Sequence, residues 1–151
     1  MAVSQTAKAL WARFMTDTKS FGRVLDKVRI VSANDGRCTA ELTVAEEHSN
    51  SHGTLHGGLS ATIVDIVSTL ALVTHKRQAF GVSTDLHVSY LKAAEIGEDV
   101  VIEANTIRAG RTLAYLEVYI KKKSDGSVVA KGSHTKFIGN ESGNLFENLS
   151  S

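Results

Sequence analysis

The sequence predicts an α+β domain in which an antiparallel six-stranded sheet wraps one long central helix. Three observations lead there. First, a single stretch, about residues 57–74, repeats its apolar side chains Leu59, Ile63, Ile66, Val67, Leu70 and Val73 at intervals of three and four, the period of a helix with a broad buried stripe. Second, six strand candidates surround it, with the helix inserted between the second and the third. Third, the turn signals Asn34-Asp35-Gly36, Ala109-Gly110-Arg111 and Asp125-Gly126 fall between strand candidates, in a chain with 12 glycines and no proline.

Taken in order, residues 1–20 form an N-terminal helical segment. The spacing of Val3, Leu10 and Phe14 fits a helix laid on the body of the domain, while Lys8, Arg13, Lys19 and Arg23, with only Asp17 opposing them, also resemble an amphipathic organellar presequence. Residues 21–140 form the main domain. Within it, residues 24–32 and 37–44 pair as a hairpin, and residues 100–108, 113–122 and 127–138 form a meander after the helix. In the run from Leu113, Leu116, Val118 and Ile120 share one face and Tyr115, Glu117 and Tyr119 the other, the alternation of a sheet with unequal faces. Residues 141–151 are polar and aperiodic and are expected to be loosely ordered.

Composition narrows the function. The 151 residues carry 17 Lys+Arg against 16 Asp+Glu, a formal charge of +1, so nucleic acid is not an expected partner. The longest apolar stretch, residues 55–74, is interrupted by His56, Gly57, Gly58, Ser60, Thr62, Asp65 and Ser68, which argues against an integral membrane protein. The lone cysteine, Cys38, suits a reducing compartment and excludes a multi-cysteine metal module. His48, His52 and His56 would line one side of a helix, but Gly53 and Ser49-Asn50-Ser51 argue against a helix there, so neither metal nor cofactor is expected.

The chemistry concentrates at the start of the central helix. Gly57 and Gly58 leave backbone amides unshielded at a helix N-terminus, a place able to stabilise a carbonyl oxygen that gains charge during acyl transfer; the same glycines also suit a tight turn. Asp65 sits in mid-helix among apolar neighbours, where aspartate is a poor helix former and costly to bury. It reads as a functional carboxylate, or as one that faces solvent or bonds Ser68 or Thr69. Gly57 and Asp65 are eight residues, about 12 Å, apart along a helix axis, too far for both to serve one reacting centre. Two antiparallel copies of the helix would bring Gly57 of one subunit and Asp65 of its mate to one thioester or ester, giving two equivalent sites per dimer. His56 orders this loop or the surroundings of the acyl carbonyl. Ser83 lacks a nucleophile elbow. Basic groups at Lys92, Arg108, Arg111, Lys121 to Lys123, Lys131 and Lys136 either hold phosphates or protect strand edges, and the glycine turn between Arg108 and Arg111 favours phosphate.

The segment Asn50…Gly53-Thr54-Leu55-His56-Gly57-Gly58…Asp65, followed by Gly81-Val82-Ser83-Thr84-Asp85…Tyr90, resembles the hotdog-fold thioesterases of the PaaI type. The likeness extends through Phe21-Gly22-Arg23-Val24-Leu25, Glu46-Glu47-His48, Gly97-Glu98-Asp99, Gly110-Arg111-Thr112-Leu113-Ala114 and His134-Thr135-Lys136. The resemblance implies a hotdog dimer that pairs into a tetramer and hydrolyses medium- to long-chain fatty acyl-CoA to acid and CoA without metal. It implies that the Gly57 amide polarises the carbonyl with help from Asn50, and that Asp65, with Ser83 nearby, orients and deprotonates water across the dimer interface. His56 is retained as a further catalytic candidate. CoA contacts are implied for Ser83, for Tyr90, Leu91, Lys92, Ala93, Ala94 and Glu95, for Arg108, Ala109, Gly110, Arg111, Thr112 and Leu113, and for Lys136 and Phe137. Attack by water and formation of an Asp65 anhydride would use the same residues. A dehydratase built on His56 and Asp65, and a non-catalytic acyl-CoA carrier, are the alternatives. The expected location is cytoplasmic, with mitochondrial association compatible with the basic N-terminal segment.

Overall fold

Asp35 and Gly36 both take positive φ, 49° and 78°, the geometry of a two-residue type I′ turn whose twist matches the strands it joins. It links β1 (Arg29–Asn34) to β2 (Arg37–Thr43), as the turn signal predicted. The computed structural model describes residues 2–16 and 19–139. Asp17 and the polar tail 141–151 lie outside the described residues.

Helix α1 (Gln5–Thr16) precedes β1 and lies on the body of the domain, with Ala7 and Leu10 buried and the Phe14 ring 6.3 Å from that of Phe80. The chain then makes a 3-10 turn over Phe21–Leu25, so β1 starts at Arg29 and not at residue 24. The physical reason lies in the spacing: Leu25 and Val28 are both buried three residues apart, closed by a Val28 N–H to Leu25 carbonyl bond of 2.9 Å, a helical rather than an alternating repeat.

A short 3-10 turn, Glu46–His48, leads into the loop before helix α2 (Gly57–Val73). Four strands follow: β3 (Val82–Tyr90), β4 (Asp99–Ala109), β5 (Leu113–Lys122) and β6 (Val128–Phe137). All six strands form one antiparallel sheet in the order β1-β2-β4-β5-β6-β3, which curls around α2. The fold is the expected one. Leu116, Val118 and Ile120 are buried against the helix while Tyr115 is exposed on the other face.

The burial of α2 extends around most of its circumference, but Leu59 and Ile66, expected in the buried stripe, are only half-buried, as is Asp65. Hydroxyls inside the core bond back to the helix: Thr62 to the Gly58 carbonyl and Thr69 to the Asp65 carbonyl, each at 2.8 Å. On β6 the inward row is Ala130, Gly132, His134 and Lys136. At Gly132 a Cβ would stand 2.5 Å from both Val64 methyl carbons, so the glycine is what lets strand and helix approach.

The sole cysteine, Cys38, is buried in β2, and burial pushes its thiol up to about 12. Strand β3 pairs with β6 alone, leaving its other edge open, and Val82, Leu86 and Tyr90 on it are exposed. No helix among the described residues is long and apolar enough to cross a membrane.

Candidate active site

The loop before α2 is ordered by Asn50. Its side-chain carbonyl accepts the amides of His52 (2.9 Å) and Thr54 (3.2 Å), and its side-chain NH2 donates to the Thr54 hydroxyl at 2.9 Å. Within one chain, Asn50 therefore braces the turn rather than reaching Gly57. His56 is the N-cap of α2: its Nδ1 accepts the Gly58 amide at 2.8 Å, and its carbonyl accepts the Ser60 amide at 3.0 Å. Among the described residues the Gly57 amide has no acceptor. The Tyr90 hydroxyl donates to the Gly57 carbonyl at 2.7 Å, tying the end of β3 to the start of the helix.

The three loop histidines have three settings. His48 is buried in its 3-10 turn with Nδ1 accepting the Ala45 amide at 3.0 Å, His52 is exposed, and His56 caps the helix. Among the described residues no group of three or more side chains is arranged to hold a metal ion.

Asp65 lies two turns further along α2. Its carboxylate is half-exposed; the Ser68 and Thr69 hydroxyls bond its backbone carbonyl, not its side chain. It faces a cavity of about 280 Å³ whose wall includes Phe14, Gly22, Ile66, Phe80, Ser83 and Lys136. Behind the cavity stands buried His134, with Nδ1 2.7 Å from Ser68 Oγ, Nε2 2.7 Å from Ser83 Oγ, and Nε2 3.8 Å from Asp65 Oδ1. Burial, reinforced by the nearby Lys136 cation, lowers the imidazole from 6.5 to about 4, against a weaker upward pull from Asp65 and Asp85. The ring is therefore neutral at neutral pH and carries one N–H. It donates at one nitrogen and accepts at the other, joining the Ser68 and Ser83 hydroxyls into one chain beside the carboxylate.

Asp65 and Ser83 thus line one cavity within one chain, with His134 and Ser68 beside them. Nothing near the helix start signals His134. The signal is its place in the inward row of an alternating strand, where a polar side chain requires a partner across the core.

Within one chain the two stretches implied to contact CoA lie apart. Tyr90 and the residues after it sit at one end of β3, beside the helix start: the Ala94 carbonyl accepts the Leu55 amide at 2.8 Å, and Glu95 bridges Thr54. Leu91, Lys92, Ala93 and Glu95 are exposed, and Lys92 approaches Asp125 at 4.0 Å. The turn from Arg108 through Ala109, Gly110, Arg111 and Thr112 to Leu113 lies at the other end of the sheet, where Leu113 and Val82 both pair with Phe137. The nine residues of β3 separate the two stretches by about 27 Å. Arg108 and Arg111 are exposed at that turn. Lys136 is not with them: it is buried, donating to Thr69 Oγ1 at 2.7 Å with its ammonium 4.9 Å from the centre of the Phe80 ring.

Comparison with known proteins adds relatives to this geometry. Residues 52–129 match the thioesterase superfamily. Human acyl-coenzyme A thioesterase 13 is 48% identical over 126 residues, which covers 83% of this chain and 90% of that protein. The crystal structure of zebrafish thioesterase superfamily member 2 superposes with a TM-score of 0.85 at 44% identity, covering 90% of this chain and all of that one. A hypothetical thioesterase protein of Streptococcus pneumoniae TIGR4, solved with coenzyme A, shares the fold at a TM-score of 0.77 and 24% identity, covering 87% of this chain and 98% of that one.

Proposed function

The chain belongs to the thioesterase superfamily, and on that premise we propose that it is an acyl-CoA thioesterase acting on medium- to long-chain fatty acyl groups. The observation that supports it best is the pairing of a half-exposed Asp65 carboxylate with Ser83 in one cavity, on the same helix as an unengaged Gly57 amide.

In this reading, water in the cavity is held between the Asp65 carboxylate and the Ser83 hydroxyl, which the neutral His134 keeps in place. Asp65 takes one proton as the water oxygen attacks the thioester carbon. The carbonyl oxygen becomes an oxyanion and is stabilised by a Gly57 amide at the positive end of a helix dipole. The intermediate collapses by breaking the C–S bond and expelling CoA thiolate. A thiol of pKa about 8.5 is a good leaving group, so the departing sulfur needs no dedicated acid.

One copy of α2 cannot bring Gly57 and Asp65 to one carbon. The proposal therefore includes a two-fold dimer in which the second copy supplies the amide. Two observations support it: the open, partly apolar edge of β3, and the separation of the 90–95 and 108–113 stretches, which an antiparallel mate brings to one cleft. Pairing of such dimers into a tetramer belongs to the same proposal.

Free-thiol release from a panel of acyl-CoAs, decanoyl and palmitoyl among them, tests it with wild type and Asp65→Asn at matched folding and oligomeric state. Turnover by wild type and a loss of about 10²-fold or more in the variant is the expected result, the size of a general-base contribution. Tight binding of acyl-CoA without thiol release by either protein overturns the hydrolase and leaves a carrier.

A further inference from the structure

We propose that Arg77 is a positioning residue for the nucleotide end of the substrate, fastening the 108–113 turn so that Arg108 and Arg111 meet the CoA phosphates already in place. The inference rests on the proposed function through its assignment of that turn to CoA.

Arg77 follows α2 in a turn closed by a Gln78 N–H to His75 carbonyl bond of 2.7 Å. Its Nη2 donates to two carbonyls, those of Arg111 and Gly139, each at 3.1 Å. Its Nε is buried and has no acceptor among the described residues, so these two bonds are what hold the side chain. One guanidinium thereby joins the end of the central helix, the β4–β5 turn and the exit from β6.

The turn is fixed from its other sides as well. The Thr112 carbonyl accepts the amides of Ile138 (2.8 Å) and Gly139 (3.2 Å), and the Gly110 amide donates to the Leu113 carbonyl at 2.9 Å. Backbone carbonyls at consecutive positions are thus bonded inward while the Arg108 and Arg111 side chains are exposed. A loop that binds phosphate with arginines gains most when it need not be ordered on binding, because the immobilisation is then part of folding. Arg77 is placed to do this from behind the turn, with a charged donor that bonds more strongly than a neutral one.

The test compares an acyl-CoA with the same acyl group on N-acetylcysteamine, a thioester without the nucleotide. For Arg77→Ala the expected result is a KM for acyl-CoA raised about tenfold with kcat nearly unchanged, and no change in kcat/KM for the truncated substrate. Hydrogen exchange at the Gly110, Ile138 and Gly139 amides quickens in the variant. Arg77→Lys keeps the charge but ends about one atom short of the two carbonyls, and it shows the same split if the alanine variant does not fold. Equal losses on both substrates, or an unchanged KM for acyl-CoA, overturn the role of Arg77. The double variant Arg108→Ala/Arg111→Ala separates the two layers of the argument. If it leaves KM for acyl-CoA unchanged, the turn is not the CoA site and both readings fall. If it raises KM while the Arg77 variants do not, only the role of Arg77 falls.

Discussion

His134 stands in a strand row that otherwise presents alanine, glycine and a buried lysine to the central helix, and its titration follows from that position. Burial lowers it from 6.5 to about 4, so between those values the unfolded chain binds a proton that the folded protein refuses. Stability is complete above pH 6.5 and is lost as pH falls through about 4, by an amount on the order of 3 kcal/mol from this group. Urea midpoints at pH 7 and pH 4 should therefore diverge more in wild type than in His134→Gln; equal divergence would exclude His134 as the cause. The same neutrality means that His134 itself contributes no inflection near 6.5 to kcat/KM. Ser83→Ala, which removes the hydroxyl between His134 and the cavity, should slow thiol release by about tenfold or more while leaving the unfolding free energy from urea titration within about 1 kcal/mol of wild type. Gly57 and Asp65 were legible in the sequence because their signal is local: a glycine pair at a helix start, and a carboxylate misplaced among apolar residues. The place of His134 depends on β6 crossing α2, a pairing 66 residues apart at the Ser68 hydrogen bond, which no window of sequence displays.

At the scale of elements, the close approach of α2 and β6 at Gly132 can be tested directly. Gly132→Ala drives a methyl group to within 2.5 Å of the Val64 side chain, and the overpacking should cost about 1–3 kcal/mol in chemical denaturation. Val64→Ala in the same chain should recover part of that loss, since the clash disappears and a smaller void replaces it. An additive double variant would show that the strand moves instead. Turn chemistry explains which elements the sequence revealed: Asp35-Gly36 set the first hairpin, and β5 runs Leu113–Lys122 as its alternation predicted. The miss at residues 24–28 arose because apolar residues three apart, when few, do not distinguish a 3-10 turn from a strand start until Leu25 and Val28 are seen turned into the core.

The whole molecule is organised around an edge left open. Nine residues of β3 offer unpaired backbone groups and exposed Val82, Leu86 and Tyr90, an arrangement that the proposed two-fold pairing with a second copy would satisfy. If each site takes Asp65 from one chain and Gly57 from the other, an equal mixture of Asp65→Asn and Gly57→Val chains, each inactive alone, should recover about a quarter of wild-type activity after subunit exchange, because half the dimers are mixed and each of those has one intact site. Recovery of none, with mixed dimers demonstrated by mass, would place each site within a single chain.

Cys38 gives the protein a clock. Its thiol is shut in β2 and held protonated by a pKa of about 12, so a disulfide reagent at neutral pH meets almost no thiolate while the chain is folded. In the absence of substrate, one equivalent of labelling per chain should therefore appear only as fast as the sheet opens. Its rate, followed against temperature or urea, times the excursions of the core rather than the chemistry of the site.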